Sequence, residues 1–184
     1  TPRTVAKAPF DDPSTADVII LTSDNVSFYT HKIILSIASP HFKEILSQPK
    51  LRNDELFSPT KPREREIVVE EDGQTMDYVL RLCYPCNNPP SGATLPLAIQ
   101  LACAADRYKM SDALLAAKNI LLEYADAHPL PVYFVARRYG WDDLADEAEK
   151  ECMRLPSLTA EACYTEQMEH VNADVYYELL GRHY

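Results

Sequence analysis

Glycine is scarce in this chain, with four residues in 184, and the four stand far apart. A dinucleotide-binding or Walker-type loop needs clustered glycines, because backbone N–H groups must approach the phosphates closely. The scarcity excludes the commonest nucleotide-dependent enzymes, and no cofactor is predicted.

There is also no run of about 18 to 20 apolar residues, the length that spans a bilayer. The first sixteen residues lack the apolar stretch of a signal peptide. We therefore predict a soluble protein that does not bind membranes.

Basic residues are in the minority, with 18 Lys and Arg against 28 Asp and Glu, for a formal charge of −10. A surface of this sign repels phosphate backbones, so nucleic acid is excluded as a partner. A basic protein would be attracted to it.

The chain has five cysteines: Cys83, Cys86, Cys103, Cys152 and Cys163. The number is odd, and a chain of this size does not need disulfides for stability. Reduced thiols in a cytoplasmic or nuclear protein fit this pattern best. Cys83-Tyr84-Pro85-Cys86 is a C-x-x-C motif, which leaves thiol redox chemistry as an alternative function. The motif follows a predicted helix C-terminus, the wrong end for stabilising a thiolate. One such pair supplies only two of the four ligands of a zinc site, so no metal is predicted.

The five histidines are not spaced with a nucleophile or an acid in a way that suggests a catalytic group. Catalysis would need a base within reach of an activated nucleophile. No catalytic residue is predicted, and a structural hydrogen bond is the expected role of His31.

The most patterned stretch is residues 17–46, DVIILTSDNVSFYTHKIILSIASPHFKEIL. An apolar strand over 17–22, a turn at 23–25 and an alternating segment over 26–31 predict a β-hairpin. A short helix over 32–39 follows. Ser39-Pro40 then predicts the start of a second short helix, with serine as the N-cap and proline at the first helical position.

The rest of the chain is predicted to be mostly helical. Residues 50–65 are polar and are interpreted as a loop, and residues 66–71 as a third strand. A helix capped by Asp72 extends to Cys83, and a proline-rich loop follows. From residue 95 onward only helices are predicted. A segment in this region repeats after 31 positions, which predicts two similar helix–turn–helix corners; the matching residues are Ala105, Arg107, Tyr108 and Met110, and Ala136, Arg138, Tyr139 and Trp141.

The hairpin and its helices contain a recognisable pattern, D-V-x-x-L…F-x-x-H-K-x-x-L-x-x-x-S-x-x-F, from Asp17 to Phe42. It resembles the BTB/POZ domain. The later Leu-x-x-Cys-Tyr-Pro and Ala-Ala-Asp-Arg-Tyr-Lys-Met segments agree in order, and the Cys-Tyr-Pro variant is similar to fungal members. The resemblance implies an α+β fold, with a small sheet of about three strands flanked by helices and followed by an all-helical extension. The predicted domains are a flexible segment over 1–15, the BTB/POZ domain over 16–126 and a BACK-like extension over 127–184.

The resemblance also implies a function. BTB/POZ domains are non-catalytic interaction modules that homodimerise, recruit partner proteins or bind the cullin scaffold of ubiquitin ligases. We therefore predict a scaffold whose partner is a second copy of the chain or another protein, with a cullin adaptor as the alternative. The predicted partner-binding residues are Ile33, Ile37, Phe42, Ile45 and Leu46. Asp17 and Lys32 are predicted to form a structural charge pair at the edge of the core.

Two features depart from the family pattern. Residues 1–16 have too little apolar periodicity for the extra strand and helix that many dimeric members exchange between protomers. Residues 50–65 show no convincing match to the hydrophobic-x-Glu motif of cullin binders.

Overall fold

The computed structural model describes residues 2–48, 65–84, 92–158 and 164–183. The strands are β1 (Thr4–Val5), β2 (Val18–Leu21), β3 (Val26–Thr30) and β4 (Arg65–Val68). The helices are α1 (Lys32–Ala38), α2 (Pro40–Ser47), α3 (Gly73–Cys83), α4 (Leu95–Arg107), α5 (Ser111–Leu122), α6 (Pro129–Tyr139), α7 (Asp142–Cys152) and α8 (Ala173–His183). A 3₁₀ helix covers Glu166–His170.

Packing divides the chain into two compact units. The first unit contains Thr1–Gly92 and Gln100–Leu114, and the second contains Ala93–Ile99 and Leu115–Tyr184. The division follows contacts, so the predicted domain boundary after residue 126 stays a prediction. The fold class is α+β, as predicted.

The sheet of the first unit has the order β1-β3-β2-β4. Strands β2 and β3 form the predicted antiparallel hairpin, with Ile20 opposite Phe28. Strand β4 is the predicted third strand; it is shorter than expected and pairs in parallel with β2, which places Ile67 beside Ile20. Because side chains alternate along a strand, these three apolar residues share the buried face of the sheet.

The hairpin turn is held by Asp24 and is bound to the start of α3. Asn25 has a φ of 65°, in the left-handed region that asparagine tolerates. The Asp24 Oδ1 atom accepts hydrogen bonds from the Thr22 hydroxyl at 2.5 Å and from the Gly73 N–H at 2.9 Å. A Cβ atom at Gly73 would lie 2.8 Å from Val26 Cγ2, so glycine permits this close approach.

The N-terminal segment, predicted to be flexible over residues 1–15, contributes to both sheet and core. Strand β1 pairs in parallel with β3 of the same chain. Phe10 is fully buried, and its ring centroid lies 5.8 Å from that of Phe28 and 5.1 Å from that of Tyr84. Periodicity did not reveal this packing, because one aromatic residue and a two-residue strand produce no repeat.

The two predicted helix–turn–helix corners are confirmed, each within its own unit. In both, a residue just past the helix end has a positive φ, and the N–H of the next residue bonds to the carbonyl five residues earlier. The residues are Lys109, Met110 and Ala105 in the first unit, and Gly140, Trp141 and Ala136 in the second, with N···O distances of 2.8 Å and 2.9 Å. This is a Schellman-type helix ending.

The second unit has its own apolar core. Its largest fully buried side chains are Tyr133, Phe134, Leu121 and Leu144, and the rings of Tyr133 and Phe134 meet edge-on at 5.4 Å. Of the helices described, none combines the length and the hydrophobicity that crossing a bilayer requires.

Candidate interaction surface

The first residue of helix α1 donates a backbone hydrogen bond to Asp17, the residue just before β2. Asp17 Oδ1 accepts the backbone N–H of Lys32 at 2.6 Å. The first N–H groups of a helix have no partner within the helix, and a carboxylate is a favourable acceptor for them. Within the described part of the chain, no side-chain ion pair joins Asp17 and Lys32. The predicted charge pair is thus replaced by a helix cap to the main chain.

Ser39 connects α1, α2 and the corner after α4. Its Oγ atom accepts the Phe42 N–H at 3.1 Å and donates to the Tyr108 carbonyl at 2.6 Å. The Phe42 and Tyr108 rings stack with centroids 4.6 Å apart. The predicted N-cap at Ser39 is confirmed, and its bond to Tyr108 fixes the direction in which α2 leaves α1.

The predicted partner-binding residues separate into two groups. Phe42 and Leu46 belong to the core, with exposed fractions of 0% and 2%, and Ile45 is half-buried. Ile33 and Ile37 are exposed by 69% and 80%. Phe42 and Leu46 are unavailable to a partner in the folded protein, because the apolar face of α2 packs inward, whereas Ile33 and Ile37 remain available.

A groove of about 630 Å³ lies beside the exposed isoleucines. Helix α1 and the start of α2 line one side, the end of α3 a second, and the 109–113 corner a third. The lining residues are Ile34, Ile37, Ala38, Pro40, Leu82, Cys83, Lys109, Met110, Ser111, Asp112 and Ala113. Ile33 and Ile37 form an exposed ridge along α1. Ile37 also lines the groove, so the ridge and the groove are continuous. We call Ile33, Ile37 and this groove the α1 surface.

The corner after α4 is held by two acidic residues that follow β4. Arg107 forms an ion pair with Glu70 and lies 3.5 Å from a carboxylate oxygen of Glu71. The Tyr108 hydroxyl donates a hydrogen bond to Glu71. Burial, together with this carboxylate, raises the pKa of Tyr108 well above its ordinary value. The Arg-Tyr pair therefore fixes the position of the segment that lines the groove.

Comparison with known protein families decides the assignment. The model of the BTB/POZ domain matches residues 7–125, well over half of the chain. The chain belongs to the BTB/POZ family. No curated protein matches it. BTB/POZ domains mediate protein–protein interactions, including dimerisation, and the family is non-catalytic.

Two further residues of the BTB/POZ domain were discussed from the sequence: His31 with a structural role, and Cys83 with a reactive role as the alternative. His31 donates its backbone N–H to the Tyr84 hydroxyl at 2.8 Å, and its Nδ1 atom lies 3.1 Å from the same oxygen. The expected structural role is confirmed.

Cys83 donates its S–H to the Val79 carbonyl at 3.2 Å, and burial raises its pKa to about 12. Cys86, the other half of the C-x-x-C motif, lies outside the described residues.

We expect Cys83 of the folded BTB/POZ domain to react slowly with alkylating reagents. The thiolate is the reactive form, and a pKa of about 12 leaves little of it near neutral pH. At pH 8 iodoacetamide should modify Cys83 at least about a hundredfold more slowly than in the denatured chain. Mass spectrometry measures the modification, and a Cys86→Ser variant is used so that Cys83 is the one thiol left in the C-x-x-C motif. Equal rates in the folded and denatured protein would restore the redox hypothesis.

The described residues contain no group of three or more His, Cys, Asp or Glu side chains that could hold a metal ion. The residues that sequence reasoning missed are those on the far walls of the groove, such as Leu82 and Met110. They are distant from α1 in the sequence, and no local pattern places them beside α1.

Proposed function

We propose that this protein is a non-catalytic scaffold that docks protein partners through the α1 surface, and that a second copy of the chain is the first such partner. The observation that carries the proposal is the pair Ile33 and Ile37, one helical turn apart and largely exposed. Large apolar side chains in a contiguous exposed patch mark interaction sites.

The shape of the α1 surface supports self-association. In a two-fold dimer the same patch is used twice, so it must be complementary to itself. A ridge of isoleucines next to an apolar groove meets this requirement, because the ridge of one protomer can enter the groove of the other. Burying an isoleucine side chain contributes about 1.5–3 kcal/mol.

The test is the double variant Ile33→Asp/Ile37→Asp, measured by light scattering. We expect the wild-type protein to show twice the monomer mass and the variant to show the monomer mass, since two carboxylates would have to lose water at the interface. Both side chains are exposed in the protomer, so the variant should fold normally. Val68→Asp, another exposed apolar position of the first unit, is the matched control and should leave the mass unchanged.

A monomeric wild-type protein, or a variant that still dimerises, would contradict self-association through this surface. The cullin-adaptor alternative has a separate measurement: co-purification of the wild-type chain with a cullin N-terminal domain. The 50–65 segment, where a cullin-binding motif was sought, lies almost entirely outside the described residues. The fungal type and the BACK-like character of residues 127–184 remain part of this proposal.

A further inference from the structure

Helix α5 has an apolar stripe on its solvent side. Its inward side carries Ala117 and Leu121, and both side chains are fully buried in the core. On the opposite side Leu115, Asn119 and Leu122 are exposed at i, i+4 and i+7, and the two leucines are exposed by 57% and 52%. A solvent-facing side of a helix is normally polar. Two leucines two turns apart therefore require an explanation.

The C-terminal end of the same helix is strongly acidic. Helix α5 has no basic residue in its last turn, where the partial negative charge of the helix end favours one. Exposed carboxylates follow instead, at Glu123 and Asp126. Neither forms an ion pair with any residue that the structure describes. The end of α5 is thus an uncompensated negative site next to Leu122.

Nearby positive charge is already neutralised. The single lysine of α5, Lys118, binds both carboxylate oxygens of Asp143 at 2.6 Å and 2.7 Å. This contact places the first turn of α7, with the exposed Asp142, beside the middle of α5. In sequence, the segments of the second unit have 13 Asp and Glu against 6 Lys and Arg.

We propose that Leu115, Asn119 and Leu122, with Glu123 and Asp126, form a docking site for a basic amphipathic helix of a partner protein. We call these five residues the α5 face. Leucines seven residues apart are separated by about 10.5 Å along a helix. The partner therefore needs apolar side chains at i and i+7 to cover them, and Lys or Arg beyond one end to meet Glu123 and Asp126.

The negative charge of the α5 face favours a basic helix over two other occupants, a membrane surface and a second copy of the chain. An anionic membrane surface would be repelled by the carboxylates around the leucines. A second copy of the chain would bring an equally acidic face, so that like charges would oppose one another. A cationic helix satisfies both the apolar and the electrostatic requirement.

The site can be tested with a synthetic helical peptide of about 18 residues, with leucines at i and i+7 and lysines elsewhere on that face. Binding to the full chain is measured by fluorescence anisotropy. We expect Leu115→Gln/Leu122→Gln to weaken binding about tenfold or more. Glu123→Gln/Asp126→Asn should weaken it less and should flatten its salt dependence. Val68→Gln, at an exposed apolar position in the first unit, should have no effect.

A peptide in which glutamate replaces lysine is the matched ligand control and should not bind. The proposal is overturned if the basic peptide fails to bind, if the acidic peptide binds equally, or if the leucine variant binds as well as the wild type. It is also overturned if the leucine variant halves the mass in light scattering, since the stripe would then serve self-association. None of these outcomes depends on Ile33 or Ile37, so this proposal and the proposed function can fail separately.

Discussion

Replacing Phe42 with alanine is expected to lower the free energy of unfolding by about 3–5 kcal/mol. The ring is fully buried and stacks on Tyr108 with centroids 4.6 Å apart. Its removal would lose the burial of the ring and would leave a cavity between α2 and the corner after α4. Denaturant unfolding followed by circular dichroism measures this loss.

The matched comparison is Ile37→Ala, on the exposed side of α1. Since this side chain contributes little to the core, we expect a change within about 0.5 kcal/mol. The two variants thus separate a core role from a surface role. If Phe42→Ala kept the wild-type stability and weakened only self-association, Phe42 would be a partner contact after all, as the sequence predicted.

Replacing Tyr108 with phenylalanine is expected to cost about 1–3 kcal/mol. The variant keeps the stacking on Phe42 but removes the hydroxyl that donates to Glu71, whose side chain is only 8% exposed. A buried carboxylate that loses a donor keeps its desolvation penalty. Tyr164→Phe is a matched control, because the Tyr164 hydroxyl donates to Glu169 at an exposed position. That change should cost about 0–0.5 kcal/mol. Equal losses in the two variants would contradict the importance of burial at Tyr108.

The same residue predicts a dependence of stability on alkaline pH. Burial and Glu71 raise the pKa of Tyr108 in the folded protein above the ordinary value of 10.0. Above pH 10 the unfolded chain releases this proton and the folded protein keeps it, so stability falls as pH rises. We expect the fall to be steeper in the wild type than in Tyr108→Phe, as measured by unfolding midpoints between pH 9 and pH 11. Parallel curves would show that Tyr108 does not contribute. Cys83, whose pKa is also raised, is present in both proteins and cancels in the comparison.

Much of the local structure was predictable from short-range chemistry. Ser39 and Asp72 were expected to cap helices, and each accepts a backbone N–H three residues later. The turn at 23–25 and the repeated corner were predicted as well. These features depend on side-chain-to-backbone bonds and φ preferences within a few residues, and such interactions can be inferred from neighbouring residues alone.

The candidate site was only partly predictable. On α1, Ile33 and Ile37 were predicted to bind a partner, and both are exposed. Phe42 and Leu46 were placed in the same group although they are core. An apolar face on a short helix predicts burial against something, and periodicity does not say whether that neighbour is the same chain or a partner. Asp17 was expected to bind the side chain of Lys32 and instead accepts its backbone N–H, one of the helix-start N–H groups that have no partner within the helix.

The amino-acid order alone establishes the BTB/POZ family, the hairpin followed by two short helices, and the acidic charge that disfavours nucleic acid. These follow from residue types, local spacing and long-range charge, which do not require knowledge of the packing. Packing alone assigns Phe10 to the core and brings Leu82 and Met110 to the groove beside Ile37. It also leaves Leu115 and Leu122 in solvent. The physical reason is that burial depends on which distant segments meet, and a contact between residues tens of positions apart leaves no periodic trace in the sequence.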